Sequence, residues 1–440
     1  MLFDNDILLL ICTESNRYAE DYLRSLQNNN ETVPEYLKRF SPFTPSSIML
    51  YIGCLLYMGL VQLPEKKMHW NQGGFFPKTL LTDVMTRDHF YLVSKFLHLN
   101  NEETANKEDK LYKVRPLTSR LIRNWQKYYG CNQDITIDEK MIKFDGNLKW
   151  KQYDPSKPVR HGIKSFLVCE ARTGYTYNEE IYCGKDEKGS HKSSTDQVVY
   201  KLLDGFANKG HRLFMDNFFT SFNLISELET RMIGVSGTLR KNRKNIPKRI
   251  SKDKVKKGEI LAFRMNNVMV FTWCDKRCVR FITNLTGGIE EMDTWTKNGQ
   301  IKIKKPSAIL EYNQMKSGVD KANQLEVQYQ FSHRDMKWWK RVFISFLDTT
   351  VVNALIIYKT FKPTTTHLTF RKELITSIFH HYKPGFMISN INNNHEIGRR
   401  KSSNCVVCWK ENKRTQSVFY CKACIKTICP EHFVKLHKDT

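Results

Sequence analysis

The spacing of apolar positions changes along the chain, and each change predicts a different kind of element. Over residues 1–130 apolar side chains recur at helical intervals: Ile7-Leu8-Leu9-Leu10-Ile11, the run over 48–61, and Phe90-Tyr91-Leu92-Val93 through Phe96-Leu97. Pro64 and Gly73-Gly74 interrupt them. From 134 to 240 the segments shorten. Residues 134–140 alternate as a half-buried strand, and 163–169, 175–182 and 213–215 read as further strands, with turns at Asp145-Gly146 and Thr173-Gly174. Helical segments near 197–206 and 221–231 alternate with them, which predicts an α/β sheet. Strand-like pieces return at 268–273 and 279–282. Over 325–361 the period is helical again, with Trp339, Phe343, Phe346, Leu347, Thr350, Val351, Ala354, Leu355 and Tyr358 on one stripe that predicts core. Residues 388–404, rich in Asn, Ser, Lys and Arg, read as a linker.

Composition narrows the class. Apolar residues make up 40% and aromatic ones 12%, as in a folded globular protein. The most apolar stretch, 48–61, falls short of the roughly 20 residues that span a bilayer, so it is expected in a core and no membrane partner is expected. The net charge is +25, from 70 Lys and Arg against 45 Asp and Glu. Such an excess repels itself in a compact state and points to a polyanion, with counterion release driving binding. Residues 240–257 concentrate that charge, with ten Lys or Arg against one acid, Asp253, and are expected to form an exposed loop. Met1–Asp6 contains no basic segment or cleavage site of a secretory signal, so the cysteines are expected in a reducing compartment.

Against this basic background three acids stand out. Asp138 follows Ile135-Thr136-Ile137, Asp216 follows Leu213-Phe214-Met215, and Asp320 follows the turn Lys316-Ser317-Gly318 just before a predicted helix. Carboxylates at strand ends can converge in one crevice and hold Mg²⁺ or Mn²⁺, hard cations that phosphoryl transfer requires. The competing reading is local: Asp216-Asn217 could cap the helix expected from Thr220-Ser221. Cations and aromatics flank each acid. Lys157, Arg160 and Lys164 lie near the first, Arg240, Lys241, Arg243 and Lys244 follow the second, and Lys337, Trp338 and Arg341 follow the third. That company suits a phosphate backbone and unstacked bases.

The C-terminus carries different chemistry. Cys405-x2-Cys408, Cys421-x2-Cys424, Cys429-x2-His432 and His437 are seven soft or imidazole ligands, a pattern specific for Zn²⁺. An interleaved arrangement assigns Cys405, Cys408, Cys429 and His432 to one ion and Cys421, Cys424 and His437 to a second, which Asp439 or the carboxylate of Thr440 would complete. A segment so small has little core, so metal would supply its folding energy.

Taken together these blocks resemble piggyBac-type transposases. The resemblance runs through Thr13-Glu14-Ser15-Asn16-Arg17-Tyr18-Ala19, Tyr57-Met58-Gly59, Leu97-His98-Leu99-Asn100, Thr136-Ile137-Asp138-Glu139-Lys140-Met141 and His161-Gly162-Ile163-Lys164. It continues with Met215-Asp216-Asn217-Phe218-Phe219-Thr220-Ser221, Gly237-Thr238-Leu239-Arg240, Gly318-Val319-Asp320 and Lys337-Trp338-Trp339. It implies an α/β fold with an RNase H-like catalytic core (134–239 and 306–324) whose acidic triad is Asp138, Asp216 and Asp320. Around that core it implies an all-helical dimerisation and DNA-binding domain (1–133 and 325–387), an inserted small β-rich domain (240–305), the linker, and a zinc module over 405–440. The implied activity is cut-and-paste movement of double-stranded DNA from element terminal repeats into TTAA targets, through hairpin intermediates, by a homodimer. Some relatives have a further aspartate three residues after the third; here it is Asn323. A domesticated, non-cleaving DNA-binding protein and a nuclease without joining are the other readings. DNA as substrate and the basic run at 240–257 give nuclear localisation as an expectation.

Overall fold

The computed structural model describes residues 2–429 apart from 39, 72–75, 77, 185–193, 254, 286, 296–301, 333–334, 387–396, 412, 422–426 and 428. The chain divides into two units, Met1–Lys383 and Pro384–Thr440.

The first unit begins with helices α1 (Asn5–Asn28), α2 (Pro45–Leu60), α3 (Arg87–Phe96) and α4 (Arg115–Tyr128). Their starts are written locally. Asp4 accepts from Ile7 N at 3.0 Å, Thr86 caps α3, and Thr44 and Ser47 cap each other's backbone ahead of Pro45. α4 buries one apolar stripe, Leu117, Leu121 and Trp125, whereas α2 is buried on every face from Leu50 to Leu56.

The sheet is mixed. Strands β1 (Asp134–Lys143), β2 (His161–Glu170) and β3 (Thr176–Ile181) form an antiparallel meander, and β4 (Arg212–Met215) and β5 (Gly234–Thr238) then run parallel to β1 on its other side. Helices α5 (Ser194–Leu202) and α6 (Phe222–Thr230) make the connections that parallel strands require. Alternation along β1 separates two environments. Ile135 and Ile137 join an apolar core with Leu213, Met215, Leu224 and Leu228, while Thr136, Asp138 and Lys140 face the other way.

Strands β6 (Ile260–Met265), β7 (Val268–Cys274) and β8 (Cys278–Thr283) come from the segment expected to form a separate inserted domain. They extend the same sheet, because β8 pairs antiparallel with β5 from Ser236↔Thr283 to Thr238↔Phe281. Cys274 and Cys278 are joined by a disulfide across the β7–β8 turn, a departure from the expectation of reduced cysteines. The basic run at 240–257 is not wholly a loop either. It contains a short helix, Lys248–Lys252, whose Ile250 is buried in the core beside β7.

Helices α7 (Ser307–Met315) and α8 (Gly318–Gln328) return the chain to the polar face of β1, followed by α9 (Trp338–Phe361) and α10 (His367–Tyr382). The α9 helix is long and apolar enough to cross a membrane, but its apolar window is 78% buried within the fold, as in a core helix. Trp125 of α4 donates to Thr350 Oγ1 at 3.1 Å and stacks on Phe346, so helices from both ends of the unit share one layer. Gly174, at φ +80° in the β2–β3 turn, lies where an added Cβ would sit 3.0 Å from Ala322 N and 3.1 Å from Gly318 O of α8.

In the second unit β9 (Ile397–Asn404) pairs antiparallel with β10 (Gln416–Cys421). The expected linker over 388–404 is therefore corrected for 397–404, which is strand; its composition is polar, but backbone pairing with β10 supplies the order. The rest of that linker, 388–396, lies outside the described residues.

Candidate active site and thiolate cluster

Parallel pairing sets the position of the first two acids. Ile137 lies opposite Met215 at the end of the pairing between two strands that stand about 4.8 Å apart, so Asp138 and Asp216 are the residues that follow it, the first still on β1 and the second just past β4. Beyond Met215 the strand ends in a turn in which Asp216 Oδ1 accepts from Phe218 N at 2.8 Å. The cap of α6 is Ser221, whose hydroxyl accepts from Leu224 N, so Asp216 is not spent on capping that helix.

The third acid arrives on α8. Gly318 opens that helix against the sheet, where an added Cβ would lie 2.8 Å from Thr136 Oγ1, and Val319 and Ala322 pack on Leu167 and Cys169 of β2. Asp320 is exposed in the first turn. The three acids share electrostatic neighbours. Lys157 is held above the ordinary lysine value despite its burial, mainly by Glu139 and further by Asp138 and Asp320. Tyr312 is pushed up to about 12, by burial first and then by Asp216 and Asp138.

Burial, then the hydrogen bond and charge of Glu139, push Asp138 up to about 7. Burial also raises Asp216. Glu139 is half-buried, which raises it, but hydrogen bonds from Asp138 and Lys157 bring it below the usual carboxylate range, and Lys157 Nζ lies 2.9 Å from its Oε1. Glu139 escaped the sequence reading; an acid beside Asp138 was the available signal. Two buried oxygens here, Glu139 Oε2 and Asn323 Oδ1, have no hydrogen-bond partner among the described residues. Carboxylate and carboxamide oxygens are the hard donors that Mg²⁺ or Mn²⁺ takes, but those of Asp138, Asp216 and Asp320 do not all lie within 4.8 Å of one another; among the described residues only Cys405, Cys408 and Cys429 bring their ligand atoms that close.

The flanking cations divide. Arg240 donates to Asn217 Oδ1 at 3.0 Å, and Arg243 Nη2 donates to the carbonyls of Asn217 (2.9 Å) and Phe218 (2.5 Å), so both clasp the turn after Asp216. Lys241 and Lys244 are exposed beside them, and Arg160 and Lys337 are exposed elsewhere. Lys164 Nζ stands 5.1 Å from the Phe166 ring and 4.9 Å from Phe218. A cleft of about 340 Å³ opens there, lined by Gln152, Lys164, Phe166, Tyr182 and Phe218 among others. Trp338 is half-buried edge-on to Trp150. Arg341 is a correction. It is 5% exposed and donates to Lys143 O at 3.1 Å and Phe331 O at 3.4 Å, because helical spacing turns it inward, and it cannot reach DNA.

In the second unit Cys405, Cys408 and Cys429 are buried with sulfurs within 4.8 Å of one another, and Cys408 Sγ lies 3.8 Å from Cys429 Sγ. Three soft thiols in such a cluster fit Zn²⁺. The same three belong to one ion in the interleaved arrangement. The side chain of Cys421, and Cys424, His432 and His437, lie outside the described residues.

A family profile described as Transposase IS4 matches residues 1–355. Human PiggyBac transposable element-derived protein 2 is 24% identical over 379 residues, covering 82% of this chain and 60% of its own length. Human PiggyBac transposable element-derived protein 3 is 26% identical over 428 residues, covering 90% of this chain and 70% of its own length. Thus the chain spans about three fifths of the length of the first of these relatives. Among solved structures, the cryo-EM structure of the piggyBac transposase synaptic complex with hairpin DNA superposes with a TM-score of 0.74 at 21% identity, covering 98% of this chain and 94% of that one.

Proposed function

We propose, from the premise that the chain belongs to the IS4 transposase family as a protein of piggyBac type, that it is a metal-dependent DNA transposase acting through Asp138, Asp216 and Asp320. The observation that carries this reading is the Ile137↔Met215 register, after which Asp138 and Asp216 are the next residues, together with the packing of α8, which bears Asp320, against Thr136 of β1 and Leu167 and Cys169 of β2. The antiparallel meander followed by two parallel strands supports an RNase H-like core.

In this reading Asp138, Asp216 and Asp320 would hold Mg²⁺ or Mn²⁺, with Asn323 Oδ1 and Glu139 as further oxygen donors. Bound divalent ions supply activation of the attacking oxygen and stabilisation of the leaving one in an in-line displacement. The protein's own contribution is positioning and charge. Arg240 and Arg243 hold the Asp216 turn and present cations to a phosphate beside it. Lys157, between Asp138, Glu139 and Asp320, neutralises charge that would otherwise repel the backbone. The substrates would be element terminal repeats and TTAA target DNA, the acting form a homodimer, and the thiolate cluster a zinc module that recognises the element ends. Nuclear localisation is part of the proposal; a fluorescent fusion that stays cytoplasmic refutes it.

Purified protein given Mg²⁺ and a labelled duplex carrying its element's end should nick it and then form a hairpin. Joining to TTAA DNA should follow. Binding without cleavage would favour the second reading, a domesticated DNA-binding protein, which has support in the names of the human relatives as transposable element-derived proteins.

A further inference from the structure

We infer that Lys140 and Glu326 form a brace that fixes the helix bearing Asp320 against the strand bearing Asp138; the inference rests on the acidic site proposed above. A lysine two residues beyond Asp138 on a strand would ordinarily reach for water. Lys140 is instead 6% exposed, and Glu326 on α8 is 2% exposed. Their charged atoms, Nζ and Oε2, are 2.6 Å apart. Thr349 of α9 completes the contact, accepting from Lys140 Nζ at 3.1 Å and donating to Glu326 Oε1 at 2.8 Å. Glu179 of β3 stands behind, its Oε2 3.9 Å from Nζ. One buried ammonium thus joins β1, β3, α8 and α9.

Stability alone does not account for such a group. Removing two charges from water costs several kcal/mol per ion in general, and a well-packed hydrophobic pair often does as well. A buried ion pair with a hydroxyl bridge differs from a greasy contact in being directional: it is satisfied in one register and lost in the next. The register it would fix is that of the acidic site. On β1, Thr136 touches the start of α8 at Gly318, and Lys140 meets Glu326 near its end. Four strand residues span about 13 Å, and eight helical residues span about 12 Å, so the two elements run side by side between these anchors. Asp138 is midway along the strand segment, and Asp320 and Asn323 fall within the helical one. Lys140 and Glu326 are therefore positioning residues, remote from substrate, that set how the third acid meets the first.

The test uses Lys140→Met, the isosteric Glu326→Gln, and Leu228→Ala in the apolar core on the sheet's other face. Mn²⁺ alone is the probe, its binding read by the resonance of the free ion, and hydrogen exchange reads amides 319–328 in the metal-free protein. Both brace variants should weaken Mn²⁺ binding roughly 10–100-fold, the range for groups that orient metal ligands, and should speed exchange in that helix. Leu228→Ala should lower the melting temperature with neither change. Unchanged exchange in both brace variants, or an equal rise in Leu228→Ala, overturns the brace. Mn²⁺ affinity that simply follows stability across all three overturns the positioning role. Wild-type protein that binds Mn²⁺ no better than Asp138→Asn refutes the metal-site reading instead, and the exchange data still decide whether the brace exists.

Discussion

In the first unit, Asp138 on β1, Asp216 just past β4 and Asp320 on α8 belong to a scaffold built on a sheet whose opposite face is sealed by Ile135, Ile137, Leu213, Met215 and Leu228. In the second, three thiols converge between a short strand pair and a five-residue helix, Val406–Lys410, with Trp409 60% exposed. One set of ligands is carried by a scaffold that exists without it; the other, among the described residues, is carried by one short strand pair and one short helix. The contrast teaches that ligating residues alone do not say whether a metal is a tool or a structural element. The packing beneath them does.

The largest effect that could break this contrast is metal removal. A high-affinity zinc chelator, or Cys408→Ser, should unfold the β9–β10 unit, since structural zinc contributes about 10–16 kcal/mol in small metal-folded peptides. Amide resonances of residues 397–421 should collapse to random-coil positions while the melting of the first unit stays put. Retained dispersion there after chelation would remove the distinction.

Next in size, Asp216→Asn should reduce strand cleavage by roughly 10²–10³-fold or more, the scale for losing one charge-stabilising group. DNA binding, measured by mobility shift, should be preserved. Its melting temperature should hold or rise, because a carboxylate that burial pushes upward is relieved. Full cleavage by this variant would falsify the shared acidic site. Leu228→Ala, on the apolar face, should behave in the opposite way, costing about 2–5 kcal/mol in denaturant titration while cleavage per folded molecule is kept at low temperature.

The smallest effect sharpens the same comparison through pH. Burial pushes His98 and His367 down to about 4, below the usual value near 6.5. Between those values the unfolded chain takes up protons that the folded one does not, so stability is full above about 6.5 and falls as pH drops toward 4. His98→Gln should flatten that slope in the first unit. A slope unchanged by the substitution would mean other groups dominate.

Much of this was legible in the chain. The β1, β2 and β4 strands, the α9 stripe and the C-x2-C pairs declare themselves by period or spacing. What escaped depends on partners distant in sequence. Arg341 reads as a surface cation beside Trp338, yet only the fold turns it toward Lys143 and Phe331. Lys140 looks like the polar side of an alternating strand until α8 and α9 cover it. Strands β7 and β8 read as strands and β6 does not, and nothing local says which sheet they join, since edge pairing with β5 is decided by backbone geometry. The Cys274–Cys278 pair was equally silent, because four residues of spacing suit a hairpin only once the hairpin is known.

The approach of α8 to the sheet leaves no room for a methyl group at Gly318, and the turn at Gly174 presses on the same helix from the side. Backbone atoms, Glu170 O at Gly318 and Ala322 N at Gly174, are among the nearest neighbours, and they yield less readily than the end of a long side chain. Any change in the sheet's curvature, whether from a neighbouring strand or from bent DNA laid across it, would be handed on to Asp320, two residues along the helix, so that a single added carbon at Gly318 would be felt at the acid.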